Sequence, residues 1–165
     1  MARRTFSIGG VHPNDAKISR GCAIEALPLP QTVYISLAQH IGAPAKPVVA
    51  VGDKVKVGQP IAEPGGFVSA FIHSSVSGTV KSIGPRKDLA GNTQTYVEIA
   101  VEGDDWAEGI DRSETLVTEI PDDGKAIIEK IRLGGVVGLG GATFPTHVKL
   151  TPPPGKKCEM LIING

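Results

Sequence analysis

The residues best suited to chemistry lie in one glycine-rich stretch, 138–149, with the sequence GLGGATFPTHVK. Gly138, Gly140 and Gly141 have no side chains, so the backbone there can approach a ligand closely. A helix starting after them would aim free N–H groups at an anion, and Lys149 would add a full positive charge one turn later. The stretch therefore predicts a cradle for a phosphate group or a nucleotide, with a plain turn as the alternative.

The residues after the glycines can start that helix. Thr143 or Thr146 can accept hydrogen bonds as its N-cap, and Pro145 is tolerated in a first helical turn. Two common phosphate loops do not match: the P-loop needs a lysine directly after its last glycine, and the Rossmann motif has Gly or Ala where Thr143 stands.

The stretch resembles the G-x-G-G-A-x-F-P-T-x-x-K signature of the flavin- and NADH-binding subunit of respiratory complex I. That resemblance implies that Phe144 stacks on the nucleotide. It also implies a set of residues that line or neutralise FMN, namely Gly138, Gly140, Gly141, Lys149 and Asn164. No catalytic side chain and no metal ligand is predicted.

Three positions depart from that signature. Leu139 replaces an arginine, which alters the expected phosphate or flavin contacts, and Thr143 and His147 replace glycines. His147 could donate a proton near a flavin, but a position on the helix surface is the simpler interpretation.

Composition and charge exclude several classes of protein. The chain has 165 residues, 41% hydrophobic and 21% charged, as expected of a globular protein with a core. Its 17 basic and 17 acidic residues balance, which argues against nucleic-acid binding. Cys22 and Cys158 form no C-x-x-C motif, so neither a zinc site nor an iron–sulfur cluster is expected. No apolar run reaches the roughly 20 residues of a transmembrane helix.

The chain divides into four predicted segments. Residues 1–46 form an extended, proline-punctuated arm, residues 47–102 a β domain, residues 103–124 an acidic linker, and residues 125–165 the start of an α/β domain. Within the β domain, short strands separated by glycine turns predict a small sandwich or barrel. The predicted strands are Val48–Val51, Lys54–Val57, Ile61–Glu63, Phe67–His73, Gly78–Ile83 and Thr95–Val101.

Residues outside the strands have mostly structural interpretations. In the arm, 31–41 forms one short strand or a helical turn, and His12 and His40 brace turns rather than bind a ligand. The paired acids of the linker lie on a solvated surface, and Trp106 anchors packing.

The last segment reads as helix, loop, helix and strand. Ile127, Ile128 and Ile131 share one face of a helix over 125–133, with Asp122 or Asp123 as N-cap and Gly134-Gly135 as its end. The apolar run 160–163 predicts a strand buried in a parallel sheet. Because few neighbours for that strand exist in the sequence, we expect the chain to be part of a longer protein.

The β segment resembles a biotinyl or lipoyl carrier domain, through GDKVKVGQPI at 52–61 and IHSSVSGTV at 72–80. The resemblance implies a barrel-sandwich hybrid fold, in which a lysine at a hairpin tip carries the cofactor. That position is Val68 here, which cannot be acylated. The domain is therefore expected to have the carrier fold without the carrier chemistry. Its apolar tip, Gly66 to Val68, is expected either to contact a protein or to cover the domain's own core.

Almost the whole chain resembles the C subunit of the Rnf ion-translocating electron-transport complex, with GGVHP at 9–13 among the shared elements. The resemblance implies the N-terminal part of a subunit that passes electrons between NAD(H), FMN and two 4Fe-4S clusters, in an enzyme complex coupling ferredoxin:NAD oxidoreduction to ion transport. The clusters lie outside this sequence, so the chain alone is expected to be inactive.

Further expectations follow from the same resemblance. The partners are NAD(H) and other Rnf subunits, including membrane subunits and a ferredoxin-linked subunit, and not nucleic acid. The location is peripheral, at the cytoplasmic face of the bacterial inner membrane, with the chain itself soluble. The alternative function is a β docking module without a bound cofactor.

Overall fold

In a computed structural model, residues 16–120, 122–156, 159, 160 and 162 are described. Two antiparallel sheets precede two helices. The first sheet has the strand order β1-β7-β6-β3 and the second the order β2-β4-β5. The strands are β1 Thr32–Ser36, β2 Lys46–Pro47, β3 Lys54–Val55, β4 Pro60–Glu63, β5 Ile72–His73, β6 Gly78–Lys87 and β7 Thr93–Val101. The helices are α1 Gly124–Leu133 and α2 Thr146–Lys149.

One hydrophobic core fills the space between the sheets. Ile61, Val80, Val97 and Ile99 have no exposed surface, and all buried members of the cluster in the described chain lie between Ile35 and Ile99. These side chains alternate with polar neighbours along β6 and β7, as expected for strands with one buried face. The prediction of a small β domain built from short strands is therefore confirmed.

The observed strands differ from the predicted ones in their bounds, and most strongly at two places. Residues 48–51 form no strand because Asp53 accepts a hydrogen bond from the Ala50 N–H at 2.8 Å and closes a turn. The strand predicted over 67–73 shortens to β5, since Ser69 instead accepts a hydrogen bond from the Gly65 N–H at 3.0 Å.

The second half of the predicted arm lies inside the sheets. The stretch 31–41 contains β1, which pairs with β7 from Thr32 opposite Ala100 to Ser36 opposite Tyr96. His40 braces the chain: its Nε2 accepts a hydrogen bond from the Ala70 N–H, at 3.1 Å. The structural interpretation of His40 therefore agrees with its contacts, whereas His12 lies outside the described residues.

The hairpin tip that would carry a cofactor is packed against its own chain. Val68 contacts Gly42, and the Val68 carbonyl accepts a hydrogen bond from the Ala43 N–H at 3.0 Å. Phe67 next to it is 79% exposed. At the tip, Val68 is therefore held by contacts with its own chain, whereas the side chain of Phe67 is exposed to solvent.

The linker pairs with the β domain at one point. Val57 forms a bridge with Trp106, in which the Val57 N–H donates to the Asp105 carbonyl at 2.8 Å and the Ala107 N–H donates to the Val57 carbonyl at 2.9 Å. The backbone around Trp106, which was predicted to anchor packing, is therefore held against the β domain.

The apolar run near the end is not a buried strand where the structure describes it. Met160 and Ile162 are 78% and 83% exposed and belong to no strand. A buried strand needs hydrogen-bonded neighbours on both sides, and the described strands of both sheets pair elsewhere. Within the described residues, no helix is long and apolar enough to cross a membrane.

Candidate functional site

Helix α1 leads to the glycine loop and is capped at both ends. Asp123 accepts a hydrogen bond from the Lys125 N–H at 2.9 Å, which confirms the predicted N-cap. At the other end the Gly135 N–H donates to the Arg132 carbonyl, and the Val136 N–H to that of Ile131. With Gly135 at φ +63°, these two bonds form a Schellman motif that stops the helix and turns the chain.

The loop that follows is closed at its base. Val137 bridges Pro145, the Gly138 N–H donates to the Phe144 carbonyl at 3.0 Å, and the Thr146 N–H donates to the Val136 carbonyl at 2.9 Å. Because Pro145 is fully buried, both ends of the loop 138–144 are held in place. The residues between them project outward, and Leu139 is 86% exposed.

The glycines at the crest of the loop face open space. A Cβ atom added to Gly140 or Gly141 would meet no heavy atom within 4 Å, and neither glycine has a positive φ. Neither backbone conformation nor crowding by the described chain therefore requires glycine at these positions. A ligand that approaches the backbone closely is a physical reason for glycine there.

Lys149 brings its positive charge to the start of the loop. Its ammonium group lies against the Cα of Gly138, where a side chain would collide with it. No described carboxylate forms an ion pair with Lys149, and residues 138–150 contain no acidic side chain. Lys149 in α2 is thus in contact with Gly138, at the start of the open loop that contains Gly140 and Gly141.

Helix α2 is shorter than the predicted anion-binding helix. It has four residues, its N-cap is Pro145, and no side chain caps it. The prediction of Thr143 or Thr146 as N-cap is therefore wrong, because Thr146 is already helical and the Thr143 hydroxyl donates to the Ala142 carbonyl at 2.7 Å. A helix of one turn has only a small dipole. Anion binding at this loop would therefore depend on the charge of Lys149 and on the backbone N–H groups of the loop.

Thr143 occupies a strained position in the loop. Its φ is +51°, in the left-handed region, where a β-branched residue is rare. Thr143 stands where the complex I signature has glycine, and at this φ a threonine is conformationally less favourable than a glycine.

The remaining predicted site residues are placed differently. Phe144 is half-buried, and its carbonyl closes the loop. The Nδ1 atom of His147 is buried with no hydrogen-bond partner in the described part of the chain. Burial lowers the pKa of His147, and the nearby Arg132 guanidinium lowers it further. Asn164 lies outside the described residues.

The β domain contacts the base of the site, which the sequence did not predict. Gly135 packs on the His73 ring, which would lie 3.3 Å from a Cβ added to that glycine, and the Arg132 guanidinium lies 5.2 Å from the centre of the Phe71 ring. The available signal was the alternation of Phe71, Ile72 and His73, which buries only the middle residue. A partly polar outward face on a strand of a small sandwich can mark a contact with another domain.

The residues present fit the phosphate end of FMN. An FMN phosphate needs close N–H donors and positive charge, which the uncrowded glycine backbone and Lys149 supply without a competing carboxylate. The exposed crest leaves room for a group larger than a single ion.

Two family models match the chain in separate regions. Residues 5–105 match the RnfC barrel sandwich hybrid domain, and residues 131–165 match the Nuo51 FMN-binding domain. The first match confirms the predicted fold of the β domain. The second begins in the last turn of α1 and includes the whole glycine loop.

Several curated proteins are similar to the chain. The C subunit of a proton-translocating ferredoxin:NAD(+) oxidoreductase complex from Clostridium ljungdahlii is 46% identical over 95% of the chain and 34% of its own length. The Na(+)-translocating counterpart from Acetobacterium woodii is 42% identical over 95% of the chain and 35% of its length. The C subunit of an ion-translocating oxidoreductase complex from Pseudomonas aeruginosa is 40% identical over 99% of the chain and 21% of its length. The chain thus spans about a third or less of these relatives.

Proposed function

Because the chain belongs to the family of Rnf complex C subunits, we propose that it is part of a peripheral electron-transfer subunit that holds FMN and receives NAD(H). In the whole protein, electrons would pass between NAD(H), FMN and iron–sulfur clusters. The complex would couple ferredoxin:NAD oxidoreduction to ion transport at the cytoplasmic face of the membrane. Its partners would be the other subunits of that complex.

The single observation that carries the proposal is the open crest of the loop. Gly140 and Gly141 are free of steric neighbours and of positive φ, so the described chain itself gives no reason for them. A bound FMN would be such a reason, and the match of residues 131–165 to an FMN-binding domain supports it.

Each part of the loop has one task in this proposal. The backbone of Gly138, Gly140 and Gly141 approaches the flavin nucleotide, and Lys149 offsets its phosphate charge. Phe144 stacks on the nucleotide, and Asn164 contacts the flavin. When bound, FMN would supply the chemistry that takes up two electrons as a hydride and releases them one at a time. The chain's own residues bind and orient; none of them is assigned a proton-transfer step.

The first test uses the protein at its native length, isolated from its own cells. Intact mass and visible absorbance together should show a chain well beyond 17.2 kDa with flavin bands and broad iron–sulfur absorbance. A colourless protein of 17.2 kDa would contradict the proposal.

Matched glycine variants test the loop itself. In Gly140→Val, the side chain should displace the ligand and reduce FMN affinity by roughly tenfold or more, the equivalent of about 1.4 kcal/mol. The control is Gly84→Val on β6, where an added Cβ also meets open space and φ is not positive. Equal flavin content in the two variants would remove the loop from the FMN site.

The alternative function, a β docking module without cofactor, is favoured by one observation, the exposed ring of Phe67 at the hairpin tip. Changing Phe67 to Asp should then release the chain from its partner subunits while flavin content stays constant. Unchanged co-purification of the complex would exclude the tip as a docking site.

A further inference from the structure

We propose that Phe71, directly before β5, and His73, at the end of β5, are positioning residues that hold the flavin loop in its binding geometry. The inference rests on the proposed FMN function of the loop. It adds that part of the flavin site is built by the barrel, although the barrel itself contributes no residue to the predicted FMN contacts.

Phe71 and His73 flank Ile72, the first residue of β5. Ile72 is buried in the core whereas Phe71 and His73 are half-buried, as expected where successive residues of an extended chain point to opposite faces. The two rings are 6.5 Å apart, measured between their centres. With Ile72 fixed in the barrel, both rings have a rigid base.

Two contacts join this face to the end of α1. The Phe71 ring lies 5.2 Å from the Arg132 guanidinium. The second contact is Gly135, which packs so closely on the Phe71 carbonyl and the His73 ring that a Cβ would overlap the carbonyl and lie 3.3 Å from the ring. At φ +63°, Gly135 is thus required both by conformation and by space.

Arg132 extends the connection to the far side of the loop. It forms a bidentate ion pair with Glu129, with both N–O distances at 2.7 Å, and its charge acts on His147 in α2. The guanidinium therefore lies among the barrel, α1 and α2. A shift at Phe71 would be felt on both sides of the loop.

The path from these contacts to the ligand site is short. Gly135 is separated from Gly138 by Val136 and Val137 alone, and both valines take part in the backbone pairing that closes the loop. Fixing Gly135 therefore fixes the direction in which the loop starts. The barrel, which itself binds no cofactor in this proposal, would thus position the FMN-binding loop.

The test measures amide hydrogen exchange in the protein at its native length, with FMN titration on the same samples. In His73→Ala, the ring that packs on Gly135 is lost, and exchange of the Gly138 and Thr146 amides should rise about fivefold, the equivalent of about 1 kcal/mol. FMN affinity should fall by a similar factor. His73→Phe keeps a ring at this position and should restore both.

Two controls separate positioning from general stability. The Val80 amide, which donates to Asp53 inside the barrel, should exchange at the same rate in every variant. Phe71→Ala should behave like His73→Ala, whereas Phe67→Ala, at the exposed tip of the same hairpin, should leave the loop amides and FMN affinity unchanged.

Each result decides the inference. Unchanged exchange at Gly138 in His73→Ala would overturn it, as would faster exchange at Val80, which marks plain destabilisation. Faster loop exchange with unchanged FMN affinity would also overturn it. A native-length protein that binds no FMN would overturn the proposed function, and the exchange pattern would then still decide whether β5 holds the loop.

Discussion

The barrel and the segment that carries the glycine loop are stabilised in different ways. The barrel has a sealed core whose central residues have no exposed surface. Residues 122–156 contain no buried residue in either helix, and Leu133, Val136 and Leu139 are exposed. This segment is held by helix caps, by the closed base of its loop and by contacts with β5.

That difference separates stability from binding. A core of interlocked side chains tolerates little change, whereas a loop fixed only at its ends can present an open backbone to a ligand. Within the barrel, Val68 is likewise a packing residue, since its side chain lies against Gly42. The following predictions test this comparison, from the largest expected effect to the smallest.

Core truncation should affect the barrel far more than the helix. Ile99→Ala should lower the free energy of unfolding by about 2–5 kcal/mol, because Ile99 is fully buried. Ile127→Ala in α1 should cost clearly less, since Ile127 is only half-buried. Urea denaturation followed by circular dichroism measures both. Equal losses would show that α1 belongs to the same cooperative core.

Loss of the helix cap should act locally. Asp123→Ala removes the acceptor for the Lys125 N–H and should destabilise α1 by about 1 kcal/mol. Amide exchange in α1 should rise, while the barrel amides keep their protection. Asp122→Ala, at the neighbouring acid that does not cap the helix, is the matched control. Faster exchange in the barrel as well would show that the two regions unfold together.

Relief of loop strain should stabilise the binding segment slightly. Thr143→Gly removes a β-branched side chain from φ +51° and should gain up to about 1 kcal/mol, less the added freedom of glycine in the unfolded chain. The change in melting temperature on thermal unfolding shows whether the variant is more or less stable. Destabilisation would mean that the threonine hydroxyl contributes more than the strain costs.

Acid should weaken the region between barrel and loop. Burial lowers the pKa of His73 and of His147 below 6.5, and Arg132 acts in the same direction on His147, against Glu129. As pH falls below about 6.5, the unfolded chain binds protons that the folded chain does not, so stability decreases until the folded-state pKa values are passed. Denaturation at pH 7.5 and 5.0 should show a smaller loss for the double variant His73→Gln, His147→Gln. An identical loss would assign it to other groups.

Local sequence signals predicted much of the fold and site. The alternation in 95–101, the helix over 125–133 with its acid cap, and the contact of Gly138 with Lys149 all follow from short-range patterns. Pairing between distant segments could not be predicted in the same way. The sequence of 31–41 was compatible with a strand or a helical turn, and pairing with β7 makes it a strand.

Sequence-based prediction failed where the outcome depended on contacts outside the local pattern. Thr143 and Thr146 both had the chemistry of an N-cap, but the bridge between Val137 and Pro145 sets the start of α2 at Thr146 and leaves Pro145 as its cap. The run at 160–163 has the composition of a buried strand, yet its described members are exposed because burial depends on partners rather than on composition.

By itself the sequence determined which residues could approach an anion, because missing side chains and a positive charge are properties of residue types at fixed spacing. It also determined that position 68 has no amine for a cofactor. Only the tertiary structure decided that β5 contacts the end of α1 and that the Phe71 carbonyl leaves room for nothing larger than Gly135. Contacts between segments some sixty residues apart depend on how two folded surfaces meet, which no local pattern encodes.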